Sequence, residues 1–372
     1  MRESWLAKRT QTFDASGIRR VFELGARLEN PVNFSIGQPD FDVPQPVRRA
    51  AIEAIESGKN RYALSQGMPV LREKLLEKIR QLYADGDRDL IVTCGTSGGL
   101  VLAMMALVEP GDEVILFDPG FVMYPVLVRL FGGVEVYVDT YPNFRIDVGR
   151  VEAALTPKTK LILFNSPANP TGMVAQAEEV QAIAELAFRH HVALISDEIY
   201  SAFSYDFPFV SPARFNPDTI VVDGFSKSHG MPGWRLGFAH GPRTIIQEMI
   251  KLQQYSFVCA PQPFQWAGAV ALDVPVDEHI DQYRRKRDKI VAGLRDHYEL
   301  VPPSGAFYAF PKVPFGTATE FVERAIQEFE LLMIPGSVFS QCDTHFRISY
   351  AVDDATIDRG IEILQHLARM KT

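Results

Sequence analysis

Cysteine is scarce in this chain, with three among 372 residues: Cys94, Cys259 and Cys342. They have no metal-ligand spacing and cannot all pair, so neither a disulfide framework nor a zinc site is expected to organise the fold. Free or buried thiols suit a reducing cytoplasm, and a cytoplasmic location is the expectation. Long hydrophobic runs are missing too. Nothing approaches the roughly 20 apolar residues of a membrane span, and the opening MRESWLAKRT lacks the apolar core of a signal peptide. There is no internal repeat and no low-complexity tract. Nor is there an excess of positive charge: the formal net charge is −8, which argues against nucleic acid as a partner. A basic run, Arg284, Arg285, Lys286 and Arg287, is bracketed by Asp281 and Asp288 on an expected helix and reads as a solvated face.

What is present is an alternation of two periods. Val47 to Ser57 is apolar-periodic and ends at Gly58, and Pro69 starts a second helix through Leu82. Strand-like runs follow at 90–92, 114–117, 134–138, 161–164, 193–196 and 220–222, mostly with helical stretches between them. Several are continuously apolar, as strands covered on both faces must be. The alternation predicts an α/β domain around a mainly parallel sheet, with ligands at the carboxyl edge of the strands. After about residue 285 the pattern changes to long amphipathic helices and a few short strands. The first 45 residues, rich in Pro and Asn near Pro31 to Pro46, follow neither pattern.

The stretch VVDGFSKSHGMPGWRLGF, from Val221 to Phe238, carries the most chemistry. A β-branched run ends at Gly224, Lys227 follows between Ser226 and Ser228, and Arg235 stands behind a Pro-Gly turn. A lysine just beyond a strand is commonly only a solvated loop cation. Here the segment resembles the Schiff-base lysine motif, S-K then G-x-R-x-G, of the class I and II pyridoxal phosphate (PLP) aminotransferases. Six further segments resemble that family in its order: FSIGQPDF from Phe34, RYALSQGMPVLREKL from Arg61, VTCGTSGGL from Val92, NSPANPTG from Asn165, SDEIY from Ser196 and FRISYA from Phe346. The resemblance runs from about residue 30 to residue 350.

It implies the PLP-transferase fold type I: a large α/β domain with a mainly parallel seven-stranded sheet, and a smaller α+β domain. The expected division is residues 1–45 as an N-terminal arm and part of the small domain, 46–284 as the PLP-binding domain, and 285–372 as the rest of the small domain. It also implies roles. Lys227 holds the cofactor as a Schiff base and moves the proton; Asp197, at the end of an apolar strand, keeps the ring nitrogen protonated. Tyr200 and Asn169 meet the phenolate oxygen. Gly95, Thr96 and Ser97, ahead of a helix expected over 100–108, hold the phosphate with Ser226 and Arg235. Phe121, in PGFVMYP, stacks on the ring. Tyr62 reaches the phosphate of a neighbouring subunit, so a homodimer with shared sites is expected. Arg347 forks the substrate α-carboxylate, helped by the N–H of Gly37.

Three positions depart from the pattern. Gly224 stands where some subgroups place a phosphate-binding serine, so Ser226 or Ser228 must compensate. Asp223 adds a negative charge near the lysine, for which a turn-stabilising role is the default. His229 is expected on the far side of the turn. The leading expectation is transfer of an amino group from an L-amino acid to a 2-oxo acid by a ping-pong cycle. A PLP-dependent β/γ-lyase is the alternative on the same fold; a non-catalytic sensor is a third class, but this acidic chain lacks room for the usual DNA-binding domain. The region 244–283 contains no arginine to pair with a second substrate carboxylate, only Lys251, and supplies Tyr255, Phe257, Phe264 and Trp266. Uncharged, apolar or aromatic donors are therefore expected to exceed aspartate.

Overall fold

Seven strands form the central sheet of the computed structural model, which describes residues 2–25, 28–83 and 87–370. In spatial order they are Arg88–Cys94, Leu236–Pro242, Ile220–Gly224, Ala193–Asp197, Thr159–Asn165, Glu113–Asp118 and Val134–Asp139. The last five run parallel, and Leu236–Pro242 is antiparallel to both of its neighbours. Alternate residues of each strand feed opposite cores, as the pleat requires. Leu161 and Leu163 pack with Leu102, Met104 and Ile246 on one face, while Ile162 and Phe164 pack with Ile183 and Leu186 on the other. This is why the strands read as continuous apolar runs.

The strand Leu236–Pro242 is the one that apolar runs did not predict, because Gly237, His240, Gly241 and Pro242 interrupt it. A Cβ at Gly237 would collide with the backbone of Gly95 and Thr96, so close packing of strand and helix demands the glycine. That helix is longer than the sequence pattern predicts. It spans Gly95–Leu107 and so starts five residues before the expected Leu100. Gly95, Gly98 and Gly99 have poor helix propensity, but a Cβ at Gly99 would press on Val222 and Ala239, and tertiary packing outweighs propensity there.

Near the N-terminal arm, Val32–Asn33 pairs in parallel with Leu331–Leu332. A three-stranded antiparallel sheet joins Ile334–Pro335, Phe346–Ser349 and Tyr308–Ala309. Helices Asp277–Leu294, Ala318–Phe329 and Asp354–Arg369 close an aromatic-rich core around Phe34, Phe307, Phe321 and Phe346. The basic run on the first of these helices is not a uniformly solvated face. Arg287 is buried and paired with Asp206 and Asp288, and Lys286 is mostly covered and paired with Asp40. Acids distant in sequence reach over this face. Among the described residues no helix is long and apolar enough to cross a membrane.

Candidate active site

The parallel strands deliver Asn165 and Asp197 at their carboxyl ends, and the turn after Gly224 delivers Ser226 and Lys227. All four line one cavity of about 280 Å³, together with Gly37, Thr96, Ser97, Phe121, Asn169, Tyr200, Arg235 and Arg347. Eleven of the thirteen residues expected at the site thus share a single cavity. Gly95 is not in its wall but heads the helix whose next two residues are, with φ +72°. Tyr62 lies outside and is 85% exposed.

Lys227 is partly buried, and its Nζ donates to the carbonyl of Gly37 at 2.5 Å. Burial, with the positive charges of Arg347 and Arg235, brings its amine down from 10.5 to about 8, against the pull of Asp197. Asp197 is 4% exposed. Burial raises its carboxyl to about 6, although Tyr124 Oη, the N–H of Ile199 and Lys227 all favour the anion. The Tyr124 hydroxyl donates to Oδ2 at 2.9 Å. Asn165 steadies the neighbourhood by donating to the Asp197 carbonyl and accepting from the N–H of Asn169.

Arg347 is 1% exposed and lies between the rings of Tyr308 and Phe339, 4.7 Å from each centroid. Its Nη1 donates to Asn169 Oδ1 and its Nη2 to the carbonyl of Ser35, while Nε has no partner. A buried cation with an orphaned donor is expensive unless an anion completes it. Tyr200 Oη is 2.7 Å from Tyr308 Oη. Sequence reading missed Tyr124, Asn165 and Tyr308; the first and last sit in stretches that look like plain core, and their pairings join residues 73 and 108 apart.

The group implied by the resemblance carries a phosphate, a cationic ring nitrogen and an aldehyde, and the chain offers a counterpart to each. Thr96 Oγ1 is buried with no partner, in the first turn of a helix whose N–H groups favour an anion. A Cβ at Gly95 would collide with the Arg235 guanidinium, so glycine there brings the cation onto the helix N-terminus. Arg235 itself is held at φ +51°, an uncommon conformation for a residue with a side chain. Asp197 supplies the buried carboxylate and Lys227 the amine. The donor set fits.

The departures also resolve. Asp223 accepts the N–H of Gly224 at 2.6 Å. It faces a different cavity of about 250 Å³, shared with Glu198, Ser228 and His229. Ser228 Oγ pairs with His229 Nδ1 there, so Ser226 is the hydroxyl left beside Lys227.

Comparison with known proteins agrees with the geometry. The family model for aminotransferase class I and II matches residues 29–364. A probable aspartate aminotransferase of Methanocaldococcus jannaschii is 36% identical, over 97% of this chain and 99% of its own. Aromatic-amino-acid aminotransferase 2 of Thermococcus litoralis is 33% identical, over 98% of this chain and 99% of its own. A solved structure of aspartate aminotransferase from Thermus thermophilus with maleate superposes with a TM-score of 0.92 at 35% identity, covering 97% of this chain and 99% of that one. Matched end to end in sequence and in fold, the chain belongs to the class I and II aminotransferases.

Proposed function

We propose that this aminotransferase carries PLP on Lys227 and transfers the amino group of an L-amino acid with an uncharged side chain to a 2-oxo acid. The observation that carries the reading is the convergence of Lys227, Asp197 and Arg347 on one cavity. When bound, the cofactor supplies an aldehyde for the amine and an electron-accepting ring. The residues do the rest. Lys227 Nζ, poised near 8, would take the proton from the donor Cα and deliver it to the former aldehyde carbon, and would run the same transfer in reverse for the 2-oxo acid. Asp197 holds a proton on the ring nitrogen, and Tyr124 fixes the carboxylate that does so. Arg347 grips the α-carboxylate with the Gly37 N–H beside it, and Asn169 ties that fork to the phenolate side of the site. Thr96, Ser97, Ser226 and Arg235 would hold the phosphate, with the N–H of Gly95 at the helix start, and Phe121 would supply an aromatic face to the ring.

The cations lining the cavity are Lys227, Arg235 and Arg347. All three are engaged in these roles, so among the described residues this cavity offers no further cation for a second carboxylate on the donor. Elimination chemistry, the alternative on this fold, has no observation in its favour. The test is a stoichiometric one. Amino acid alone should bleach the visible band of the loaded protein once and then stop until a 2-oxo acid is added; sustained release of ammonia without that acid would refute the reading.

A homodimer and a cytoplasmic location belong to the same proposal. Tyr62, Leu64, Tyr255, Phe257 and Val258 are exposed apolar or aromatic side chains. Gln253 donates to the Ser65 carbonyl and the Arg61 N–H to Gln262, so the loops that carry them lie side by side. Such a patch suits a partner copy, whose site Tyr62 would enter. The unpaired thiols suit a reducing compartment. The same proposal takes residues 46–284 as the large domain, 1–45 as an N-terminal arm and part of the small domain, and 285–372 as the rest of it, with the helix Asp277–Leu294 crossing the boundary.

A further inference from the structure

Tyr308 lies in GAFYAF, a segment that reads as an ordinary buried strand. Its side chain is 1% exposed and lines the cavity of Lys227. Three parts of the site converge on it. Its hydroxyl meets that of Tyr200 at 2.7 Å, and its ring lies against the Arg347 guanidinium at 4.7 Å. The backbone of Gly37, whose carbonyl accepts from Lys227, passes so close that a Cβ there would collide with the Tyr308 hydroxyl.

We propose that Tyr308 is a positioning residue that donates to the Tyr200 hydroxyl and passes the charge state of the carboxylate fork, Arg347, on to Tyr200. The inference rests on the cofactor-bearing reading of Lys227 and deepens it. Two phenols share one hydrogen bond, so one of them must donate, and the more acidic phenol is the better donor. Burial weakens both as acids and the Arg347 charge opposes this on both, as the second-largest influence on Tyr308, whereas on Tyr200 the neighbouring Tyr308 adds to the weakening ahead of it. Tyr308 therefore donates, Tyr200 accepts, and the proton of Tyr200 stays free for an acceptor in the cavity. A donor that also accepts is polarised and donates more strongly. A carboxylate bound at Arg347 offsets the guanidinium charge, weakens Tyr308 as a donor and so weakens Tyr200. Among the described residues, the other charged or titratable groups near this pair are Lys227, whose Nζ is 5.8 Å from the Tyr200 ring, Asp197 with Tyr124 across the same cavity, and the buried phenols of Tyr283 and Tyr350.

The test reads the pH midpoint of the visible band in protein loaded with pyridoxal phosphate. With Tyr200 a weaker donor, the anionic phenolate side is less stabilised and the midpoint rises. Tyr308→Phe should raise it by about half to one pH unit, the size that one neutral hydrogen bond confers. Adding 3-phenylpropionate, a carboxylate without an amino group, should raise the wild-type midpoint and move that of Tyr308→Phe much less. In a Tyr200→Phe background, Tyr308→Phe should add nothing further. If the phenylalanine variant fails to fold, Tyr308→3-fluorotyrosine, a more acidic phenol of nearly the same shape, should lower the midpoint. A normal band with an unmoved midpoint, or an equal shift in the Tyr200→Phe background, overturns this inference alone. A wild-type protein that forms no visible band reducible onto Lys227 overturns both this inference and the proposed function.

Discussion

Replacing Asp197 by asparagine is expected to stabilise the cofactor-free protein and to destabilise the loaded one. The carboxyl is buried at the end of its strand, and burial lifts it from its ordinary 3.8 to about 6 despite three favourable neighbours. A factor of ten in proton affinity is worth about 1.4 kcal/mol, so ionising this group in the folded protein costs about 3 kcal/mol more than in the unfolded chain. The sign follows from linkage. The folded state binds the proton more tightly, so this contribution is complete below pH 3.8, falls as the pH rises, and is lost above about 6. Asparagine cannot ionise. That figure already includes the pull of Tyr124 and of the Ile199 N–H on the anion. The net gain of Asp197→Asn in the empty protein is about 3 kcal/mol above pH ~6 and close to zero below pH ~4. Urea unfolding of cofactor-stripped protein across this range measures the difference. Glu198, which burial raises to about 7, is raised further by the Asp197 charge, so removing that charge adds to the gain rather than opposing it. In loaded protein the order should reverse, because an amide cannot pair with a cationic ring nitrogen. A variant less stable than wild type when empty above pH ~6, or a difference that does not change with pH, would refute the reasoning.

Four further outcomes are expected. Borohydride should fix PLP to the peptide containing Lys227, and Lys227→Ala should lose that label and drop turnover by several orders of magnitude; label on another lysine sinks the assignment. Arg347→Lys should lower kcat/KM by about a hundredfold for every donor tested, since an ammonium cannot reproduce a planar fork; an effect on one donor only would contradict a common carboxylate site. Tyr62→Phe should weaken cofactor retention only in the dimer, and a fully active monomer in sedimentation at assay concentration would remove the shared-site proposal. In a panel of twenty amino acids, apolar and aromatic donors should exceed aspartate, because burying an apolar side chain is worth roughly 1.5–3 kcal/mol while an unpaired buried carboxylate costs more; aspartate at the top of the panel would refute this.

Much of the scaffold is legible in the sequence because its signals are local. Six strands announce themselves as apolar runs, and the helix Pro69–Leu82 begins at its proline and ends as the periodicity predicts. The strand Leu236–Pro242 is hidden because its glycines answer to neighbours, Gly237 to the start of the helix at Gly95 and Gly241 to the adjoining strand at Ile220, rather than to the strand itself. The site divides in the same way. Lys227, Asp197, Asn169 and Arg347 stand in segments whose order and spacing resemble one family. Tyr124 and Tyr308 do not stand out, since a tyrosine in an apolar stretch is indistinguishable from core until the fold brings Asp197 or Tyr200 within hydrogen-bond reach.

The acid-rich neighbourhood of Lys227 shows why proximity in sequence misleads at such a site. Asp197 and Glu198 are adjacent, yet they enter separate cavities: Asp197 the one with Lys227, Glu198 the one with Asp223 and His229. Glu198 is held there by the hydroxyls of Ser196 and Ser211. The turn after Gly224 repeats the division, sending Ser226 and Lys227 to one side and Ser228 and His229 to the other. His229 is brought down to about 4, chiefly by burial, so it is neutral at physiological pH. A neutral imidazole bonded to Ser228 in another cavity is no proton shuttle for Lys227, whatever its distance along the chain. The lysine amine therefore answers to the groups that share its cavity, which are Asp197 on one side and the two arginines on the other. Burial first, and then two cations against one buried anion, hold the amine near 8 and keep a fraction of it unprotonated and able to react at neutral pH.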